Sequence, residues 1–463
     1  MLGKNIAINK LVLKVFSGPL YMIVNFLFDY FIEDDMKRPW WNMPPYYPDT
    51  RNDLKPYNRG WWHNEAASTI LNNNPLGVYE NEIRFVKTLE HELNAQELNI
   101  YPLHISDKEW ESADVLLRLP AFVVDRVNAG LLKLLIINYF EMDPPEIHSK
   151  LYYTYKYKLS VSKINNFHNV FIVGNSPLYQ HKINTEFATD ENGLKYVTSH
   201  SYEKFMLNEL HQNKMDDLSD RSSSLKSHIF LMQMNYARFH KYLFAKYFAY
   251  LGVLDFGLYS YRPTETDFDC LDNYKNDYID HNLSSVNIIE ELEADPYFSN
   301  WLNHNLLTKS KKLPNSDLDP IMEEKNLRNH NFMSYMDKSW LDDTYFSVVA
   351  ETSVNSTCFI TEKTFKLLYY GHPFIILGSP GILRELQSLG YQTFPELFDE
   401  SYDDMTFSYS KIKFITEQVK KWCDPTRREE LIQVMRAIQP KLEHNRKVFT
   451  TKDHTKIWNN FKY

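Results

Sequence analysis

Glycine is scarce in this chain, with 13 in 463 residues. None fall in a Gly-x-Gly-x-x-Gly or Gly-x-x-x-x-Gly-Lys pattern, which argues against a glycine-rich backbone cradle for phosphate. Anions would have to be met by side chains and helix ends. Cysteine is scarcer still. Cys270, Cys358 and Cys423 show no paired spacing, so a disulfide scaffold is disfavoured and a reducing, cytoplasmic setting is expected. There is no His-Glu-x-x-His and no histidine cluster of metal-ligand spacing, and no metal is expected. No uninterrupted run of about 20 apolar residues occurs, so no transmembrane helix is expected. No small-residue cleavage site of the secretory kind follows the first apolar runs. A net charge of −9 argues against a broad nucleic-acid footprint.

What is abundant is aromatic. Phe, Trp and Tyr make up 15% of the chain, with 32 Tyr and 29 Phe, serving either as sugar-stacking platforms or as dense core packing. At 43% hydrophobic and 24% charged the composition is that of a globular protein. The length suits two domains of about 150–200 residues with extensions.

The most informative stretch runs from Phe346 to Leu389. Phe346 to Ala350 is a short β-rich apolar run, followed by a polar loop from Glu351 to Thr357. Thr361 can cap a helix from Glu362 to Tyr370, since its hydroxyl can accept from an early backbone N–H. Gly371 stops that helix and Pro373 prevents its resumption. Phe374 to Leu377 reads as a buried strand, and Ile382 to Leu389 as a second helix closed by Gly390. Strand, loop, helix, strand, loop, helix is the repeat of an open parallel sheet.

Lys363 stands in the first turn of its helix, where the macrodipole disfavours a cation by a few tenths to about 1 kcal/mol. An anion on the helix N-terminus would reverse that sign. Glu362 beside it could accept from ribose or sugar hydroxyls. An ordinary amphipathic helix with a solvated Glu-Lys pair is the alternative.

Glu351-Thr-Ser, then Phe359-Ile-Thr-Glu-Lys363, then Gly371-His-Pro-Phe-Ile-Ile-Leu-Gly-Ser-Pro380 resembles the donor-binding signature of the α1,3/1,4-fucosyltransferase family. It is also similar to a looser set of bacterial and viral glycosyltransferases. Thr352 stands where the family has Asn, and Phe359 where it has Tyr. The resemblance implies an α/β, GT-B-like fold, two Rossmann-like domains facing across a cleft, with a nucleotide-sugar donor in the C-terminal one. It implies donor contacts from Arg238, Lys241, Glu351, Asn355, Phe359, Thr361, Glu362 and Lys363. A nucleotide sugar is then a co-substrate and no cofactor is called for.

The rest of the chain is divided accordingly. Residues 1–65 read as an N-terminal extension. Within it, Leu20 to Phe31 is expected to be a helix packed on the protein, or alternatively on a membrane surface, and residues 38–65 form an aromatic wrap. Residues 66–222 read as the first Rossmann-like domain. It is expected to hold a helix over Val78 to Leu93 and strands at Leu98 to Ser106, Leu131 to Phe140 and Val170 to Gly174. Residues 223–440 read as the donor domain, opening with a strand from His228 to Met234 and a basic helix start, Arg238, His240 and Lys241. Residues 441–463 are assigned to a C-terminal helix, with a return to the first domain expected of the terminal helices. Asp267-Phe-Asp269 matches a metal-binding Asp-x-Asp, but its acidic-loop context favours a solvated tripeptide.

An inverting sugar transfer needs a base for the acceptor hydroxyl. Glu141, with Asp143 behind it, is the candidate, because carboxylates just beyond a parallel strand's C-terminal end sit where open α/β sheets bind ligands. The expected function is a glycosyltransferase moving a sugar from a nucleotide-diphosphate donor to a hydroxyl of a glycan or other acceptor. A catalytically inactive sugar-binding scaffold, or a transferase acting on modified DNA bases, are the alternatives. Richness in Asn, Lys, Tyr and Ile suggests an AT-rich viral or bacterial genome.

Overall fold

The computed structural model describes residues 23–28, 82–87, 92–105, 113–137, 147–174, 193–198, 225–234, 238–261, 291–292, 294–296, 336–354 and 358–452. Within these residues the chain forms two wholly parallel sheets flanked by helices, an α/β architecture. Each sheet has its own hydrophobic core.

The first sheet is built from β1 (Ile23–Phe28), β2 (Glu82–Lys87), β3 (Leu98–His104), β4 (Lys133–Ile137), β5 (Val170–Gly174) and β6 (Lys195–Thr198). Its strand order is β2-β1-β3-β4-β5-β6. Helix α1 (Ala121–Asn128) lies between β3 and β4, and α2 (Ile147–Val161) between β4 and β5. Val123 and Val127 of α1 and Tyr152, Tyr155 and Leu159 of α2 enter one core with Leu134 and Ile136 of β4. Every residue of β5 is buried, as a parallel strand covered on both faces requires.

Two expectations fail in this sheet. Residues 23–28 form a strand between β2 and β3, not a helix, so the segment assigned to an extension contributes to the sheet. Buried Asn25 shows why: its amide donates to Glu97 at 2.6 Å and to Asn99 at 2.9 Å, and both partners are distant in sequence. Residues 82–87 form a strand where a helix was expected. Ile83 and Phe85 alternate with Glu82 and Arg84, and this two-residue period prevails over the helical spacing once β1 is there to pair with. The polar helix α2 and the short strand β6 were not anticipated at all.

The second sheet comprises β7 (His228–Met234), β8 (Gly257–Tyr261), β9 (Thr344–Ala350) and β10 (Phe374–Leu377), in the order β10-β9-β7-β8. Helix α3 (Phe239–Tyr250) joins β7 to β8, α4 (Lys338–Asp342) precedes β9, and α5 (Glu362–Tyr370) joins β9 to β10. Helices α6 (Ile382–Ser388), α7 (Tyr409–Cys423) and α8 (Arg428–Thr451) complete the unit. Here the sequence-based bounds are close: β7, β10 and α5 have the expected limits. Thr361 caps α5, and Gly371 ends it in the left-handed region at φ 59°, where a side chain would be strained.

Helix α7 packs with α3, and α8 with α5. The boundary expected at 440 falls inside α8, which carries Pro440 without ending. Leu431, Ile438 and Phe449 of α8 belong to the second core, so this helix packs on the second sheet's own layer rather than returning to the first.

The segment after α6 covers the edge strand β10. Glu400 accepts from Thr393 Oγ1 at 2.9 Å and from the Phe394 N–H at 2.7 Å, and Trp422 Nε1 donates to Leu397 O at 2.9 Å. Phe394 packs edge-on against Phe374 of β10. Tyr402, fully buried, accepts at its oxygen from the Ile376 N–H at 3.3 Å. An interior backbone donor of an edge strand is thereby satisfied without another strand. Tyr402→Phe leaves that donor buried and unpaired. It is expected to cost about 1–3 kcal/mol, read as a lower urea midpoint with an unchanged m-value; an unchanged midpoint would mean another acceptor reaches Ile376.

Candidate functional site

Adjacent strands β7 and β9 send the chain in opposite directions. From β7 it passes through α3 to β8 on one side; from β9 it passes through α5 to β10 on the other. Such a reversal opens a crevice beyond the strands' C-terminal ends, and open α/β sheets bind ligands there. Two helix N-termini flank it, those of α3 and α5.

A buried carboxylate holds these two N-termini in place. Glu351, the first residue after β9, has no solvent exposure. It accepts from Thr361 Oγ1 at 2.5 Å, from the Thr361 N–H at 3.3 Å and from Thr364 Oγ1 at 2.6 Å. It therefore faces the first turn of α5, where a negative charge is stabilising. The neighbouring backbone is tied to α3: His240 Nε2 lies 2.8 Å from Glu351 O, and Arg238 Nη1 donates to Thr352 O at 3.1 Å. Because a carbonyl only accepts, His240 carries its proton on Nε2. Burial, followed by the adjacent Lys241, pushes the His240 pKa well below its ordinary value.

On this frame stand the cations. Lys363 folds back over the start of α5, donating to Glu362 Oε1 at 2.9 Å, Thr352 Oγ1 at 3.0 Å and Thr361 Oγ1 at 3.1 Å. Burial opposes the charge on both members of the Glu362–Lys363 pair, but their attraction outweighs it. The carboxyl is held below its usual range and the ammonium above. The macrodipole penalty on Lys363 is thus partly met within the chain. Lys366, one turn further along α5, is buried, and burial brings its pKa down to about 8.

Lys241 is different. In the first turn of α3 it is only 3% exposed, and among the described residues nothing accepts a hydrogen bond from its ammonium. Burial, then the charges of Lys363 and Arg238, lower its pKa to about 7, with only partial relief from Glu362 and Glu351. Arg238, Lys241, Lys363 and Lys366 share the site with two carboxylates. With all groups ionised, two positive charges are in excess. The structure therefore brings together Arg238, Lys241, Glu351, Thr361, Glu362 and Lys363. Phe359 is buried beside them but outside the hydrophobic cluster that takes its neighbours Cys358 and Ile360. Asn355, Glu141 and Asp143 lie outside the described residues. The motif names neither Thr364 nor Lys366. Their one available signal is helical spacing from Thr361 and Glu362, which puts them on the same end of α5.

No protein-family model matches the chain, and no curated protein matches it. A search of solved structures returns a UDP-forming α,α-trehalose-phosphate synthase from Burkholderia xenovorans. That protein is 11% identical, over 89% of this chain and 81% of its own, with a TM-score of 0.36. At that score the likeness supports no conclusion about this chain. No helix among the described residues is long and apolar enough to cross a membrane.

A buried, unpaired ammonium costs stability, and the sign with pH follows. Below about pH 7 Lys241 is charged in both folded and unfolded chains and the full penalty applies. Between about 7 and its ordinary 10.5 the unfolded chain holds a proton that the folded one has shed, so the penalty is relieved as pH rises. Lys241→Met is expected to raise the melting temperature of the ligand-free protein at pH 6–7 by several degrees, at about 2–4 °C per kcal/mol. The gain should shrink toward pH 10. A lower melting temperature at pH 6 would show that the ammonium is paired.

Proposed function

We propose that this chain is an inverting glycosyltransferase that uses a nucleotide-diphosphate sugar and delivers the sugar to a hydroxyl of a glycan or other acceptor. The observation that carries the reading is Lys241, a nearly buried lysine whose ammonium has no acceptor among the described residues, beside Arg238 and Lys363 at a sheet's topological switch point. Such an arrangement is costly when empty and favourable when a doubly charged anion fills it. The sequence resemblance points to the same residues.

In this reading the diphosphate lies between the N-termini of α3 and α5. Arg238, Lys241 and Lys363 meet its phosphates, and Glu362 accepts from hydroxyls of the ribose or sugar. As the bond from the sugar carbon to the diphosphate oxygen breaks, negative charge builds on the leaving group. Preorganised cations are worth about 2.7–4 kcal/mol per contact in comparable roles. Glu141 is the proposed base, taking the proton of the acceptor hydroxyl as its oxygen attacks, with Asp143 behind it. Residues 1–222 would then supply the acceptor side and 223–440 the donor side of a GT-B arrangement.

Nucleoside diphosphates at about 100 times their dissociation constant should add roughly 2.7 kcal/mol of stability. The resulting rise of several degrees should vanish in Lys241→Met and Lys363→Ala. Filling the site restores the charge on Lys241, so binding at pH 7–8 should take up protons, seen by calorimetry in buffers of different ionisation enthalpy. Affinity should fall as pH rises above about 7. Absence of any shift with a folded protein would sink the donor-site reading. Glu141→Gln should lower kcat roughly 10²–10⁴-fold; undiminished turnover would move the base elsewhere.

A further inference from the structure

One cluster at the same sheet end is not used by the diphosphate. Gln233 and Ser260 are register partners on β7 and β8, each one residue from its strand's C-terminal end. Their side chains share the face on which α5 packs, since Lys366 Nζ of α5 lies 3.4 Å from Gln233 Oε1. Adjacent strands are about 4.8 Å apart, which places the Ser260 hydroxyl and the Gln233 amide side by side. Ser260 has no solvent exposure and its hydroxyl has no hydrogen-bond partner. Lys366 is 9% exposed, and its single hydrogen bond to the described residues is the long one to Gln233. Gln233 itself is half-buried, at the rim.

Buried polar groups left unpaired in a folded protein call for an explanation. The bland one, a serine tolerated in a core, leaves unexplained why a lysine and a glutamine converge on the same spot. The polarity of the cluster is also defined. Lys366 only donates. With its oxygen toward that ammonium, the Gln233 amide has its Nε2 hydrogens left to donate, while the Ser260 hydroxyl can donate or accept. Lys366 and the Gln233 amide nitrogen thus present donors only.

Taking the donor-site reading as its basis, we infer that Gln233, Ser260 and Lys366 form the subsite that reads the nucleobase, and that it selects a base presenting a carbonyl oxygen. Glu362, Lys363 and Lys366 stand within little more than one turn of α5, so one helix end carries groups for the ribose, the phosphate and, at Lys366, the base. A keto base such as uracil, thymine or guanine puts an acceptor against the Lys366 and Gln233 donors, and the Ser260 hydroxyl can serve either kind of base. Cytosine and adenine put an amino group there, setting donor against donor at Lys366 and Gln233.

UDP and CDP make the sharpest pair, differing at one edge of the ring. Calorimetric dissociation constants for UDP, dTDP, GDP, CDP and ADP should divide into two groups, with the keto members bound about tenfold more tightly or better. In Gln233→Glu, which replaces the amide donor by an acceptor, the CDP-to-UDP ratio should fall toward one. The ratio is read within each protein, so a uniform loss of affinity in a variant cancels. Equal binding of all five, or a ratio untouched by Gln233→Glu, overturns the base-reading subsite and leaves the diphosphate site standing. Failure of all five and of inorganic pyrophosphate to bind the folded wild-type protein overturns both.

Discussion

A carboxylate placed where water cannot reach it must be surrounded by donors, or the fold will not tolerate it. Glu351 meets that condition through Thr361 and Thr364, and in doing so fixes the first turn of α5 against the end of β9. The carbonyls of residues 351 and 352 are held from the other side by His240 and Arg238 at the start of α3. Two helices that belong to different crossovers are thereby joined at their N-termini across the switch point. The positions of the cations above them all depend on this junction. Within the site Glu351 is spent on holding the frame, while Glu362, itself nearly buried, pairs with Lys363.

The cations themselves work against the fold. Lys241 and Lys366 are buried with their pKa values drawn down, and hydrophobic residues of similar size would pack there at lower cost. Lysines buried at that cost, at the end where open α/β sheets bind ligands, mark the candidate site. Elsewhere a lysine that burial likewise brings down to about 8 finds its acceptors within the chain. Lys411, fully buried in α7, donates to the carbonyls of Gly378 and Met405 at 2.9 and 3.0 Å and so closes the loop after β10. The contrast between a lysine with two carbonyl partners and one with none separates a structural cation from a candidate ligand-binding one.

The donor-side half of this organisation was legible in the residues. Thr361, Gly371 and Pro373 punctuate α5 by local rules that need no tertiary partner, and apolar runs such as Phe374 to Leu377 are too short and too uniformly buried to be anything but strands. Arg238 and Lys363 stood out because cations at a helix start oppose the macrodipole. What could not be read was the role of Glu351. Its partners Thr361 and Thr364 lie 10 and 13 residues away, beyond any local pattern, and the family likeness suggested a ligand contact instead. Lys366, Gln233 and Ser260 were silent for the same reason, as they meet only when β7, β8 and α5 are assembled.

The sequence by itself determined the elements that obey short-range physics: caps, glycine stops, buried parallel strands and the strand–loop–helix repeat of the second sheet. Tertiary structure decided whatever depended on a partner far along the chain. Residues 23–28 and 82–87 carry ambiguous patterns, and they became strands because β3 offered an open edge to the first and the first then offered one to the second. The same holds for charge. A lysine's place in a helix is visible in its spacing, but whether its ammonium is paired, buried or without an acceptor is fixed only by the groups that folding brings around it.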